Sequence, residues 1–325
     1  MRPAAGNAEC EPRGHHFAPK CWLAGFTDNG EKDGRLWVTD LKRRKQWLSS
    51  PQKAGCRRDF YRVSDPAFKD PVAFEKLFSR IEDSAAPLFK ALDMQPRGPY
   101  RHEWESLFMY IAVQWMRVPA FRPTLLRIAD GIHRRFFAEA LKTPESWAAW
   151  LKKLRIAADA PGADYGKMVE FERGHHYTLS AEPEWFLHRG FKAIEGIVSS
   201  LAERYWRASV SSSGSFIGSD DPVSMDGPKG HDIGFKSAEV VMFPVSRHVL
   251  VYGTNCRVKP TTTPRKRIAA HNTFTMLTAD EQVYSHVPDF CWLDETGAYQ
   301  TDWKLFSKEK FMQSSFVGLQ LYLAE

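Results

Sequence analysis

The pattern along the chain predicts an α+β fold: a helical middle packed with a mostly antiparallel sheet formed from the N-terminal and C-terminal segments. Three observations carry this expectation. Between Asp70 and Arg204 apolar residues recur at helical spacing. Before that stretch, Arg35-Leu36-Trp37-Val38-Thr39-Asp40 alternates polar and apolar residues between turn signals. After it, Glu239–Phe243 and His248–Tyr252 are β-rich runs on either side of Pro244-Val245-Ser246, the pattern of a hairpin. No linker, repeat or low-complexity segment interrupts the chain. The expectation is therefore a short disordered lead over residues 1–13 and a single α+β domain over 14–325.

The elements follow in order. His15-His16-Phe17-Ala18-Pro19 opens the ordered chain and runs into Trp22, Leu23 and Phe26. Thr27-Asp28-Asn29-Gly30 and Ser49-Ser50-Pro51 are turns, and Arg57–Tyr61 is extended. Asp70-Pro71 starts a capped amphipathic helix through Phe78, Ile81 and Leu88, with Pro87 as a kink or stop. Tyr100–Arg117 is a buried helix that ends before Pro119. Pro123–Leu141 is another, Thr143-Pro144 starts a third, and a fourth runs near Pro183–Arg204. Trp206–Val210 and Val283-Tyr284-Ser285 read as strands, and Arg265–Leu277 as a helix. The segment from Lys304 to Leu323 has no clear pattern.

Composition bounds the class. The 325 residues are 43% apolar and 26% charged, as in an ordinary globular protein. No run of about eighteen apolar residues exists, so no transmembrane helix and no membrane partner are expected. The first residues lack an apolar core, so no signal peptide is expected. The cysteines at 10, 21, 56, 256 and 291 form no Cys-x-x-Cys pair, which favours free thiols in a reducing cytoplasm. The net charge of +6 sits in clusters: Lys42-Arg43-Arg44-Lys45, Arg57-Arg58, Arg134-Arg135 and Arg265-Lys266-Arg267. Such clusters are either phosphate contacts or a solvated basic face.

Five blocks carry a likeness. They are His15-His16-x-x-Pro19-x-x-x-Leu23-x-x-Phe26; Ser50-Pro51 with Arg58-Asp59-Phe60-Tyr61; Gln114-x-x-Arg117-x-Pro119-x-x-Arg122; Ser219-Asp220-Asp221-Pro222-Val223; and Phe243-Pro244-Val245-Ser246, with His271-Asn272 beyond it. In this order, over roughly Gly14 to Ser285, they resemble the bacterial family catalogued as domain of unknown function 4238. The sequence departs from the family at Asp221, which stands where the family usually has Asn. The resemblance implies no activity. It implies that these blocks meet in one place.

Two chemistries fit those residues. Carboxylates at a strand end, fixed by a following proline, can hold a hard cation, and histidine can add a ligand or act as base. His16, Asp220 and Asp221 are thus candidate metal ligands for Mg²⁺ or Mn²⁺. His15, His16, Arg117, Asp220 and Asn272 are candidate catalytic residues. Arg58, Gln114 and Arg122 are candidate substrate contacts, because arginine matches phosphate bidentately. On this reading the protein is an intracellular metal-dependent hydrolase, a nuclease acting as toxin or phage-defence effector. The alternative is a non-catalytic module that binds nucleic acid or protein through its basic surface. In that case Ser-Asp-x-Pro is a turn and His15-His16 a packed pair. A buried Arg117 then needs a carboxylate, with Asp220 or Asp59 as the expected partner. His175-His176 reads as a solvated pair. There is no Gly-x-x-x-x-Gly-Lys-Ser/Thr, Gly-x-Gly-x-x-Gly, His-Glu-x-x-His or Gly-x-Ser-x-Gly, so P-loop, Rossmann, zincin and α/β-hydrolase classes have no support.

Overall fold

The structure is a computed structural model that describes residues 14–58, 60, 73–174, 177–211, 214–227, 234–257 and 264–313. Asp59, Asp70-Pro71, His175-His176 and the lead over 1–13 lie outside them. Contacts separate two compact units among the described residues: one from Met1–Pro119 and Leu187–Glu325, the other from Ala120–Phe186.

The larger unit opens with β1 (Gly14–His16), a short helix α1 (Lys20–Leu23), and the strands β2 (Leu36–Asp40), β3 (Lys45–Ser49) and β4 (Cys56–Arg58). Two long helices follow, α2 (Ala73–Met94) and α3 (Glu103–Arg117). Helix α2 runs unbroken past Pro87, which removes one amide from the ladder without ending it. Helix α3 stops because Val118, held extended at ψ 151° by the following proline, cannot continue the turn.

The smaller unit holds α4 (Phe121–Ala140), α5 (Pro144–Leu154) and α6 (Tyr165–Gly174). Thr143 caps α5 by accepting from the Ser146 amide, with Pro144 in the first turn and Arg155 left-handed at the far end. Ala140, Trp147, Leu151 and Ala163 form this unit's core, and the Trp147 indole donates to the Ala163 carbonyl at 2.7 Å.

Helix α7 (Pro183–Ala202) leads back into the sheets. The strands are β5 (Tyr205–Val210), β6 (Gly218–Ser219), β7 (Ser224–Asp226), β8 (Val240–Pro244) and β9 (Val249–Thr254). Helix α8 (Pro264–Thr278) comes next, followed by β10 (Gln282–Ser285), β11 (Trp292–Leu293), β12 (Tyr299–Gln300) and the short helix α9 (Lys308–Gln313). One four-stranded sheet has the order β3-β2-β10-β6 and is built from both ends of the chain. A second has the order β5-β9-β8-β7. Two ribbons, β1-β4 and β11-β12, complete the β structure, and the pairs among the described residues are antiparallel. The α+β class is as expected, with the strands divided between sheets rather than joined in one. Strands β8 and β9 are buried along their whole length, which is why they read as continuous apolar runs.

The core joins sheets to helices. Trp22 packs against Phe26, Phe243 and Tyr284, with centroid separations of 4.9, 6.0 and 6.4 Å. Phe89 of α2 and Tyr110 of α3 meet edge to face at 4.7 Å and both touch Phe243.

Candidate functional site

Two of the landmark blocks reach the opening block by hydrogen bonds to main-chain carbonyls, and the others are held at separate places. Gln114 on α3 donates its side-chain amide to the Phe17 carbonyl at 2.7 Å. Three residues on, Arg117 donates to the His16 carbonyl at 2.7 Å, so one helix face grips two consecutive residues of the opening block. The Trp22 indole donates to the Pro244 carbonyl at 2.8 Å, which ties that block to the end of β8. Asn272 on α8 accepts from the Ile217 amide and donates to the Ser215 and Cys291 carbonyls. It thereby fixes the strand that leads into Asp220.

Asp220 is 2% exposed and its carboxylate is fully engaged. Its oxygens accept amide protons from Asp280, Glu281 and Gln282 at 2.8 to 2.9 Å. Burial lifts this carboxyl to about 7, with the three amides pulling it down. Asp221 sits in the turn that Ser219 closes by bonding both its amide and its carbonyl. One Asp221 carboxylate oxygen is buried with no hydrogen bond. Burial, then the charges of Asp220 and Asp280, push Asp221 up to about 8, with Lys308 opposing.

Arg117 is buried, and its carboxylate partner is Glu82 of α2 at 2.6 Å, not Asp220. The reason is geometric. Helix α2 lies against α3, whereas the Asp220 carboxylate is turned to the amides of residues 280–282. The guanidinium also covers the Phe78 ring at 4.4 Å. His15 and His16 are both buried. Burial, with Lys20 and Arg117 adding, presses His16 down to about 4, so it is neutral at pH 7. His271 is pressed down to about 3 by burial alone. Its Nε2 meets the Thr275 hydroxyl at 3.1 Å. Arg122 lies in the smaller unit, where its guanidinium sits over Phe186. Arg58 is exposed on β4, paired across the ribbon with Gly14. Among the described residues, no group of three or more His, Cys, Asp or Glu gathers closely enough to hold a metal ion.

Beside this clamped centre lies open, charged space. A cavity of about 290 Å³ opens between the β3-β2-β10-β6 sheet and the β1-β4 ribbon. Its walls include Phe17, Arg43, Trp47, Lys53 and Arg57, together with Asp220 and Glu281. A second cavity of about 550 Å³ carries Lys42, Arg44, Lys304 and Lys308, with Asp280 and Glu309. The turn Lys42-Arg43-Arg44 joins β2 to β3 and lines both. Part of its charge is spent within the fold. Arg43 pairs with Asp40 and Glu281, Lys42 pairs with Glu281, and Arg44 donates to the Lys304 and Phe306 carbonyls.

A further polar cluster gave no sequence signal. Asp93 on α2 meets His248 Nδ1 at 3.0 Å, and Arg247 donates to the other ring nitrogen at 3.3 Å. Arginine has no acceptor, so Nδ1 carries the proton toward Asp93. Asp93 lines a cavity of about 850 Å³ with Cys21, Glu31, Pro87 and Lys90. Cys21 is no nucleophile there, because burial pushes its thiol up to about 12. The two halves of this cluster lie 155 residues apart, too far for spacing to show.

A basic, clamp-built α+β protein with no recognised catalytic motif is the class these features define. A family model described as "Protein of unknown function (DUF4238)" matches residues 14–289, and the chain belongs to that family. No curated protein and no solved structure matches it.

Proposed function

We propose that the protein is a nucleic-acid-binding module of the cytoplasm, acting through the basic turn between β2 and β3. One observation carries this reading: the Lys42–Arg44 turn lies between two cavities that both carry cationic side chains. The landmark polar groups favour binding over catalysis. Gln114, Arg117, Asp220 and Asn272 all hydrogen-bond to the protein's own backbone. The described cysteines at 21, 56, 256 and 291 are free thiols, in keeping with a reducing compartment. No helix among the described residues is long and apolar enough to cross a membrane.

A second reading keeps the hydrolase. It rests on the Asp93–His248 pair, an imidazole oriented by a carboxylate that lines the 850 Å³ cavity. It does not route through Mg²⁺ or Mn²⁺ at His16, Asp220 and Asp221, because the Asp220 oxygens are already taken by amides.

The test measures binding and cleavage together. Labelled single-stranded and duplex DNA and RNA are titrated with the protein at several salt concentrations, with Mg²⁺, Mn²⁺ or chelator. The expected result is intact nucleic acid, bound with a log–log salt slope of about −2 to −3, as three or four phosphate contacts on a single strand give. Cleavage that disappears in His248→Gln would replace the binding reading with the second.

A further inference from the structure

Within that basic surface one feature is not explained by charge alone. Trp47 is 41% exposed on β3, an edge strand, whereas the other tryptophans are buried or half-buried. The β2–β3 register pairs Trp47 with Val38, and both line the 290 Å³ cavity. The indole is therefore one wall of a recess, not a side chain adrift in solvent.

The lining of the same recess also carries Lys53 and Arg57. Arg57 lies over Phe17 at 5.5 Å and Phe60 at 6.0 Å, which holds its guanidinium in place and leaves its donors open. Neither Arg57 nor Lys53 forms an ion pair among the described residues. The two acids in the recess are engaged elsewhere. Asp220 accepts three amides, and Glu281 pairs with Lys42 and Arg43. A left-handed Gly55 at φ +60° turns the chain between Lys53 and Arg57 and brings both to the rim.

We infer that this recess takes one unpaired nucleobase and its phosphate, with Trp47 stacking on the base and Lys53 and Arg57 holding the phosphate. The inference rests on the nucleic-acid reading and narrows it to single strands. An aromatic face beside unpaired cations is the arrangement that binds single-stranded nucleic acid with little regard to sequence, because every base has a π face. The volume falls at the lower end of ligand cavities, roughly 300–1,000 Å³, and admits a flat ring and a phosphate rather than a base pair.

The test compares wild type with Trp47→Ala, Trp47→Phe, Lys53→Glu and Arg57→Glu, with Lys153→Glu on the smaller unit as control. Each variant is first checked for an unchanged unfolding midpoint. Binding is read by anisotropy with a labelled oligothymidylate, with a duplex, and with a nucleoside monophosphate as competitor. The expected result is a loss of roughly tenfold to a hundredfold for the single strand in Trp47→Ala. Trp47→Phe should retain most of the affinity, Lys53→Glu and Arg57→Glu should each lose several-fold, and duplex binding by Trp47→Ala should be unchanged. Quenching of intrinsic fluorescence by the oligonucleotide should disappear in Trp47→Phe, which gives a readout independent of affinity. Competition by the monophosphate only at large molar excess is expected, whereas competition at concentrations equal to the oligonucleotide's would mark the recess as a mononucleotide site and overturn the strand assignment. Wild-type affinity in Trp47→Ala would overturn the inference and leave the basic surface standing. No nucleic-acid binding by the wild type would overturn both.

Discussion

At Asp220 three backbone amides point at one carboxylate, and that geometry predicts what substitution does. Asp220→Ala leaves three inward-facing N–H groups without an acceptor. It should cost about 4 kcal/mol in chemical denaturation, against about 1–2 kcal/mol for Asp220→Asn, which keeps one acceptor. A loss of function in Asp220→Ala would therefore report unfolding before chemistry. Arg117→Met removes the partner of a Glu82 side chain that is 20% exposed and should cost about 3 kcal/mol. Glu82→Gln should cost about 1 kcal/mol, because an amide oxygen still accepts. His271 sets a pH dependence. Its folded pKa, about 3, lies below its unfolded value of 6.5, so its stabilising contribution is complete above pH 6.5 and is lost as pH falls toward 3. Between pH 7 and pH 4.5 the wild type should lose roughly 2–3 kcal/mol relative to His271→Gln, measured as the difference between their unfolding free energies. In the sequence, Arg117, Asp220 and His271 stand out through a resemblance to a family, and Glu82 does not. The sequence could not say that their polar atoms turn inward, because residue type does not report whether a donor faces solvent or a carbonyl.

At the scale of elements, the β1-β4 ribbon depends on Gly55. Its carbonyl accepts from the Phe17 and Ala18 amides, and a Cβ there would stand 2.4 Å from the Ala18 Cβ. With the left-handed φ added, Gly55→Ala should destabilise by about 2 kcal/mol or more and weaken nucleic-acid binding in parallel, since Lys53 and Arg57 hang on that turn. Measuring melting midpoint and affinity on the same variant checks both. The long helices α3, α4, α7 and α8 were legible from periodicity to within a few residues. Strand β3 was not, because Lys45, Trp47 and Leu48 are all exposed, so burial does not alternate along it. Helix α6 was missed for the same reason, having no buried residue. Pro87 misled in the other direction. Packing of Phe78, Ala85, Leu88, Phe89 and Leu92 keeps α2 intact where local propensity argues for a break.

At the scale of the molecule, the expectation that N-terminal and C-terminal segments share a sheet holds in the pairing of β2 with β10. The division of strands between two sheets and two ribbons was not legible, because register and partner choice are set by contacts hundreds of residues apart. The Trp22–Pro244 bond, for example, spans 222 residues. The packing around Trp22 thus closes only when β8 and β10 have been made.

That closure has a consequence for a chain still being made. At synthesis rates of about 5–20 residues per second, roughly 10–45 s separate the emergence of Trp22 from that of Pro244. During that interval the β2–β3 hairpin has left the ribosome with no β10 beside it, and the apolar face that will meet Phe243 and Tyr284 is bare. The nascent chain should therefore keep that apolar surface exposed until β8 and β10 have been translated. Codon changes that slow elongation between α4 and β8 should raise the aggregated fraction without altering the folded product.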